Sequence, residues 1–526
     1  MKIVTFYLSA VLFVIAAFAN VSCVFGGGSG VELRVLGTYS TGLYNQSASE
    51  IVAYDAAMQR LFTVNGATSQ IDVLSIANPS APTLLFSIGL APFGRQANSV
   101  AVRNGIVAVA VEANVKTDNG QIVFFDTNGN FLSHRFVGAL PDMVTFTPDG
   151  RKVLVANEGE PNNDYTVDPQ GSVSIVDISG GVANATVTTA GFSAFNNATL
   201  DSSIRIFGPN ATVAQDLEPE YIAVSPDSAT AWVTLQENNA VGILDLNSGQ
   251  FTRLVGLGFK HHIFAGNGLD ASDRDNSAIH IASWQVFGMY QPDAIAAYQY
   301  QNQTFLITAN EGDAREYTGT PGFLEEVRIS SLTLDPIVFP NAAILRMNAN
   351  LGRLNVTNTL GNFGGDNDFD ALFAFSARSF SILTATGEQI YDSGDDIEQI
   401  TAQAFPAFFN ASNTNNTKDD RSDNKGSEPE GVTIGNAFGN NYAFIGLERI
   451  GGVMVYDVTN PYAPQFVQYI NNRNFSAATN TPAALDLGPE GLHFISAADS
   501  PNETPLLVVA NEISGTTTVY EFVQVK

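Results

Sequence analysis

Residues Glu218-Pro-Glu220-Tyr-Ile-Ala-Val-Ser225-Pro-Asp227-Ser-Ala-Thr-Ala231-Trp-Val-Thr-Leu-Gln-Glu237-Asn238 read as two apolar strands around a Pro-Asp turn. Antiparallel neighbours run in opposite directions, so the start of the first strand and the end of the second share one edge of the sheet. Glu220 and Glu237 are therefore expected to lie close. The pattern recurs at Pro141-Asp142 with Asn157-Glu158-Gly159, and at Pro292-Asp293 with Asn310-Glu311-Gly312. It returns at Glu428-Pro-Glu430-Gly431 with Leu447-Glu448-Arg449, and at Pro489-Glu490-Gly491 with Asn511-Glu512.

Counting units from the residue before each first strand gives Glu50, Asn98, Asp142, Glu220, Asp293, Asp370, Glu430 and Glu490. Each unit continues into a second apolar strand, and often into a third that ends in aspartate, as in Ser172-Val-Ser-Ile-Val-Asp177. Four antiparallel strands in fixed order, with little helical periodicity, predict an all-β fold: a single closed β-propeller over residues 31–526. Eight units are counted, but the one at Asp370 is degenerate, so the ring has seven or eight blades. The last unit supplies three strands, and Glu32-Leu-Arg-Val-Leu-Gly37 is expected to complete it, closing the ring. Long insertions are expected near 258–290, 313–366 and 392–427. Residues 410–427 read as mobile.

Lys and Arg number 24 against 52 Asp and Glu, a net charge of −28, which excludes nucleic acid and anionic lipid and favours cations. With 45% hydrophobic residues the chain is an ordered globular protein and not an acidic tail. Met1-Lys2 followed by an apolar run to Phe18 and Ala17-Phe18-Ala19 predicts a signal peptide over 1–19, with cleavage at 19–23 and a Gly-rich linker over 20–30. The run is too short for a membrane span and lacks a basic stop-transfer cluster, so a secreted protein without a transmembrane segment is expected. Cys23 is the only cysteine, so no intrachain disulfide forms. Sequons at Asn45, Asn184, Asn197, Asn210, Asn302, Asn355, Asn410, Asn415, Asn474 and Asn502 predict glycans on loops.

In a propeller the loops before the first strand and after the second open on one face. Glu158, Glu160, Glu220, Glu237, Asp293, Glu311, Asp313, Glu430, Glu448, Glu490 and Glu512 are then expected around one mouth, with few basic partners. Converging carboxylates must be protonated, paired or bridged by a cation. Oxygen-only ligands select hard cations: Ca2+ first, with Mg2+ or Mn2+ as substitutes. The alternative is that each Asn-Glu caps its own turn. Asp270-x-x-Asp273-x-Asp275 and Asp366-x-Asp368-x-Asp370 have calcium-loop spacing at one end only and form secondary candidate loops. No nucleophile elbow, HExxH or phosphate loop is present, so catalysis would have to use metal-bound water, with Arg315 and Arg378 as candidate catalytic cations.

The segments Ala-Asn157-Glu158-Gly159-Glu160-Pro161, Gln215-Asp216-Leu-Glu218-Pro-Glu220-Tyr, Leu269-Asp270-Ala-Ser-Asp273-Arg-Asp275, Thr308-Ala-Asn310-Glu311-Gly312-Asp313-Ala-Arg315, Ala377-Arg378-Ser379-Phe380 and Gly426-Ser-Glu428-Pro-Glu430-Gly431 resemble the mesenchyme-specific cell-surface glycoprotein and choice-of-anchor I family over roughly residues 32–523. The resemblance implies a glycoprotein associated with skeleton-forming cells, while bacterial relatives are often labelled alkaline phosphatase. Three readings stay open. The chain is a secreted calcium-binding glycoprotein of the matrix or cell surface, in biomineralisation, whose ligand is divalent cation, mineral surface or a phosphorylated group. Or it is a metal-dependent phosphoesterase. Or it is a propeller that only binds protein partners.

Overall fold

The computed structural model describes residues 23–25 and 30–525. The expected leader over 1–19 and most of the linker lie outside the described residues; Cys23–Phe25 forms a short strand along Tyr469–Asn471.

Seven antiparallel sheets of like order carry the fold. The first runs Val52–Asp55, Arg60–Asn65, Gln70–Ser75, Thr83–Gly89, and the second Ala97–Arg103, Ile106–Val111, Asn119–Asp126, Phe131–Ala139. The third is Pro141–Phe146, Lys152–Asn157, Ser172–Asp177, Thr186–Gly191, and the fourth Pro219–Val224, Thr230–Leu235, Ala240–Asp245, Gln250–Gly256. The fifth takes Ile295–Tyr300, Gln303–Asn310, Ser379–Thr384 and Gln389–Asp392, and the sixth Pro429–Ala437, Asn440–Leu447, Val453–Asp457 and Gln465–Asn471. The seventh is Pro489–Ile495, Leu506–Asn511 and Thr516–Gln524, and Val31–Ser40 pairs along its outer edge from Val31 opposite Gln524 to Ser40 opposite Thr516. First strands lie side by side in chain order, and the first strand of the seventh sheet touches that of the first. This is a β-propeller architecture.

Burial explains why the second strands read as unbroken apolar runs. Ile106–Val111 and Lys152–Asn157 are buried at every position but their first, because each sheet is covered on both faces by its neighbours. Outer strands such as Thr83–Gly89 face water and are mostly exposed. The turns work as their sequence requires: Thr147 Oγ1 donates to Asp149 Oδ1 at 2.7 Å, and Gly150 takes φ 69°.

The unit expected at Asp370 is corrected. Phe373–Ala374 joins a separate five-stranded sheet with Phe259–His261, Phe287–Met289, Asn355–Thr357 and Glu326–Arg328, and Ser379–Thr384 is the third strand of the fifth sheet. A long insertion between two strands of one hairpin had imitated a new unit. The insertions build their own small core from Leu269, Val286, Ile329, Phe339, Leu351, Val356 and Leu372. Residues 410–427 are likewise not the mobile stretch expected: Asn410, Asn413, Asp419, Ser422, Lys425 and Ser427 are all buried, with Asn413 donating to Glu448 at 2.7 Å.

Buried ion pairs fasten these insertions to the sheets. Arg315 pairs with Asp216 and, at 3.0 Å, with Glu218, while Arg205 pairs with Glu325; all five side chains are essentially solvent-free. The Phe207 ring lies between the two guanidiniums, 4.0 Å from Arg205 and 4.4 Å from Arg315. Arg378 pairs with Glu398 and donates to the carbonyls of Asp270, Ser422 and Asn424 at 2.8 Å each. Both arginines proposed as catalytic cations are thus saturated by protein groups, because each loop had to bury acids or carbonyls that only a guanidinium fork satisfies.

Two outcomes follow from this packing. Deleting residues 31–40 uncovers the outer edge of the seventh sheet and should lower the melting temperature of the whole domain in one transition; a truncated protein that melts like the full chain contradicts it. Arg315→Ala should cost about 3–5 kcal/mol in denaturant unfolding, since it strands two buried carboxylates; a loss within about 1 kcal/mol would place the pair among weak surface bridges instead.

Candidate functional site

Repetition puts one residue of every sheet at the same place. At the head of the first strands stand Glu50, Asn98, Asp142, Glu220, Asp293, Glu430 and Glu490. A bulge recurs just there, between Ala97 and Ser99, Pro141 and Val144, Pro219 and Ile222, Pro429 and Val432, and Pro489 and Leu492. Bulges re-aim a side chain, and these turn Asn98 and the acids towards the channel. Gly431 and Gly491 follow two of them for a steric reason. A Cβ on Gly431 would meet the Glu490 carbonyl at 2.1 Å, and one on Gly491 the Glu50 carbonyl at 2.5 Å, so at these two seams the first strands approach only through glycine.

A second tier comes from the ends of the second strands: Glu112, Glu158, Gln236, Glu311, Glu448 and Glu512. Glu237 is near enough to act on Glu220 and Glu158, but it does not hold the tier position of the other strand-end acids. Pro219 pairs with Leu235, as Pro429 does with Leu447, so Gln236 holds the tier position and donates to Glu311 at 2.8 Å. Glu237 lies one residue further on, buried, with Oε2 lacking a hydrogen-bond partner.

Three groups of carboxylates bring oxygens within 4.8 Å of one another around this mouth: Asp142, Glu158 and Glu220; Glu50, Glu490 and Glu512; Glu311, Glu428 and Glu448. The third is neutralised by protein. Lys425 Nζ lies 2.6 Å from Glu311 and 3.1 Å from Glu428, and Arg449 is 2.9 Å from Glu428 and 2.8 Å from Glu448. Burial alone would raise Glu428, but Lys425, Arg421 and Arg449 outweigh it and hold its carboxyl well below the usual range. Lys425 also reaches Asp313, at 3.7 Å, and the Gly312 carbonyl at 2.5 Å.

The first two groups receive no ion pair among the described residues; Lys116, which acts on Glu158, is itself paired with Glu160. Their side chains see the channel yet are packed round by protein, and burial pushes Asp142 up to about 6 and Glu50 to about 8. Burial and then neighbouring carboxylates raise Glu158, Glu220 and Glu490 well above the usual range; Glu237 is pushed to about 7. Asp293 and Glu430 are raised in the same way, and Glu430 Oε2 and Glu490 Oε2 are buried without a hydrogen-bond partner. A cavity of about 60 Å³ between Asp142, Asp293, Glu430 and Glu490 shares Asn98, Asp142 and Glu490 with a space of about 290 Å³ bordered by Glu50 and Glu158. Such carboxylates can hold protons or a hard cation.

The sequence reading had counted Glu50 and Asp142 only as repeat markers, although their position was the same as that of Glu220. It missed Lys425, Arg421 and Glu112 altogether. Of the secondary loops, Asp273 is engaged by Arg353 at 2.7 Å, while Asp270 and Asp275 come together with Asp419. Asp368 and Asp370 meet Asp335, and Asp366 accepts instead from the Asp368 N–H. Among sequons, Asn45, Asn184, Asn197, Asn210, Asn302, Asn474 and Asn502 are exposed and Asn415 is half-buried. Asn355 and Asn410 are corrected: both are buried, with amides donating to Glu326 and Ser422 at 2.9 Å, and neither has room for a glycan in the folded chain. No helix among the described residues is long and apolar enough to cross a membrane.

The chain is similar to Gigasin-3a of Magallana gigas, 28% identical over 188 residues that make up 34% of this chain and 66% of that protein. It is also 28% identical to the mesenchyme-specific cell surface glycoprotein of Strongylocentrotus purpuratus over 285 residues, 48% of this chain and 36% of that one. It thus spans just under two-thirds of the first relative and about a third of the second. Among solved structures, Kuenenia stuttgartiensis hydrazine synthase aligns with 93% of this chain and 99% of its own at 12% identity and a TM-score of 0.46. The model of the choice-of-anchor I domain matches residues 50–461, from the glutamate that heads the first sheet into the sixth, and the protein belongs to the choice-of-anchor I family.

Proposed function

We propose that this protein is a secreted or cell-surface, closed seven-bladed β-propeller that binds calcium at the mouth of its channel, between Asp142, Glu158 and Glu220. One observation carries the reading: three carboxylates within 4.8 Å of each other with no ion pair, on a face where the neighbouring trio has been given Lys425 and Arg449. Oxygen-only donors in a wet, acidic cleft suit calcium above softer ions. Ring closure is supported by Val31–Ser40 completing the last sheet and by the contact between the first strands of the first and seventh sheets. The extracellular setting is supported by the cell-surface glycoprotein relative and by the exposed sequons. A part in mineral-bearing matrix is the finer form of the same reading and rests on the family resemblance. No reaction is proposed, since Arg315 and Arg378 are engaged in buried pairs.

The test is thermal unfolding with chelator and with calcium. Calcium at a hundredfold excess over its dissociation constant should add about 2.7 kcal/mol. Glu220→Gln should abolish most of that gain without lowering metal-free stability, because it relieves repulsion; a calcium response unchanged in this variant overturns the mouth assignment.

The sign with pH is opposite for the metal-free protein. Asp142 rises from its ordinary 3.8 to about 6 and Glu50 from 4.5 to about 8 on folding. Stability from these groups is fully present below about pH 4 and is lost as pH climbs through 6 to 8. Metal-free melting temperatures should therefore fall across that window, and calcium should restore them while releasing protons, seen as a buffer-dependent binding enthalpy. Equal heats in all buffers would contradict proton displacement.

A further inference from the structure

Away from the mouth, two insertions meet at a second group of acids. Asp270 and Asp275 come from the 258–290 insertion and Asp419 from 392–427, and their oxygens lie within 4.8 Å of one another. Asp270 is fully buried; its Oδ1 accepts from Ser272 N–H at 3.3 Å and its Oδ2 from His280 N–H at 2.6 Å. Asp419 is 1% exposed, adopts φ 74°, and receives Ser422 Oγ on Oδ1 at 2.5 Å. Its Oδ2 has no hydrogen-bond partner, and neither has the buried Oδ2 of Asp275. A buried carboxylate oxygen left unpaired is unfavourable unless a ligand meets it.

The surrounding acids show the contrast. Asp273 is held by Arg353 at 2.7 Å, Asp423 by Arg353 at 2.7 Å and Arg328 at 2.8 Å, and Glu398 by Arg378. Asp273, Asp423 and Glu398 thus each have a guanidinium, while Asp270, Asp275 and Asp419 form no ion pair among the described residues. Lys418, next in sequence to Asp419, acts on it only at longer range.

We propose that Asp270, Asp275 and Asp419 bind a divalent hard cation, calcium by their all-oxygen chemistry, which pins the 258–290 insertion to the 392–427 insertion. The site differs from the spacing pattern Asp270-x-x-Asp273-x-Asp275 in dropping Asp273 and in taking its third ligand from a distant segment. It shares no ligand with the mouth.

Trp284 makes the site addressable: its Nε1–H donates to the Leu269 carbonyl at 3.1 Å, beside Asp270. The other tryptophan, Trp232, is buried in the fourth sheet and bonded to the Ala385 carbonyl at 2.8 Å. Tb3+ added to the full-length protein as a calcium surrogate should give tryptophan-sensitised emission that calcium displaces. Asp275→Asn with Asp419→Asn should bring that emission to the buffer level and remove one calcium from the stoichiometry read by calorimetry. Trp284→Phe should remove the emission and leave the stoichiometry intact, and Glu220→Gln should leave the emission unchanged. Emission that survives in the Asp275 and Asp419 variant overturns the proposal. So does emission that survives in Trp284→Phe, an arm that does not depend on the ligand variant folding.

Discussion

The repulsion of like charges at a point of forced convergence governs this molecule. Because the first strands stand side by side around one channel, any residue repeated at their heads is repeated within a few ångströms of itself. Here that residue is an acid in six sheets and Asn98 in the second. At 4.8 Å and an effective dielectric of about 20, each pair of full charges would cost about 3.5 kcal/mol. No fold of ordinary stability carries that cost many times over. The mouth must be neutralised, and what neutralises it determines what the protein does.

The insertions answer for one side only. Lys425, Arg421 and Arg449 converge on Glu428, Glu311 and Glu448, and the first two of these cations arrive on the 392–427 insertion. Two further pairs do similar work: Arg315 ties the 313–366 insertion to Asp216 and Glu218, and Arg205, from the segment ahead of the fourth sheet, holds Glu325 of that insertion. The opposite side, with Asp142, Glu158, Glu220, Glu50 and Glu490, is left to protons or to a ligand from solution. The asymmetry follows the chain: the insertions all lie between the fourth and sixth sheets, so their cations reach only that arc of the ring.

This division explains what could be read from sequence. Strands were legible because both faces of every inner sheet are covered, so that local runs such as Ile106–Val111 are apolar throughout. The acids were legible because the repeat carries them in fixed phase with Pro-Asp and Pro-Glu. The bulges at five of the strand heads were not, nor was the pairing of Pro219 with Leu235 that gives the second-tier position to Gln236 in place of Glu237. The insertions were illegible for a different reason. Their partners are remote, Lys425 from Glu311 by 114 residues and Arg315 from Asp216 by 99, and no local pattern marks such pairs. The same distance hid the burial of Asn355 and Asn410, since a sequon is a local word and burial a global fact.

On the proposed function, protons and calcium compete for the open side of the mouth, and this bears on where the protein can work. Burial and neighbouring carboxylates raise Asp142, Glu158 and Glu220 alike, so a cation that binds between them must displace their protons. A cation must offset that deprotonation and then gains the relief of repulsion. Against that, each proton displaced and each carboxylate already bonded to a neighbour weakens binding relative to a dedicated cage. A mouth tuned this way would be filled where calcium is abundant and protonated where it is scarce, so the ring's own repulsion sets its occupancy.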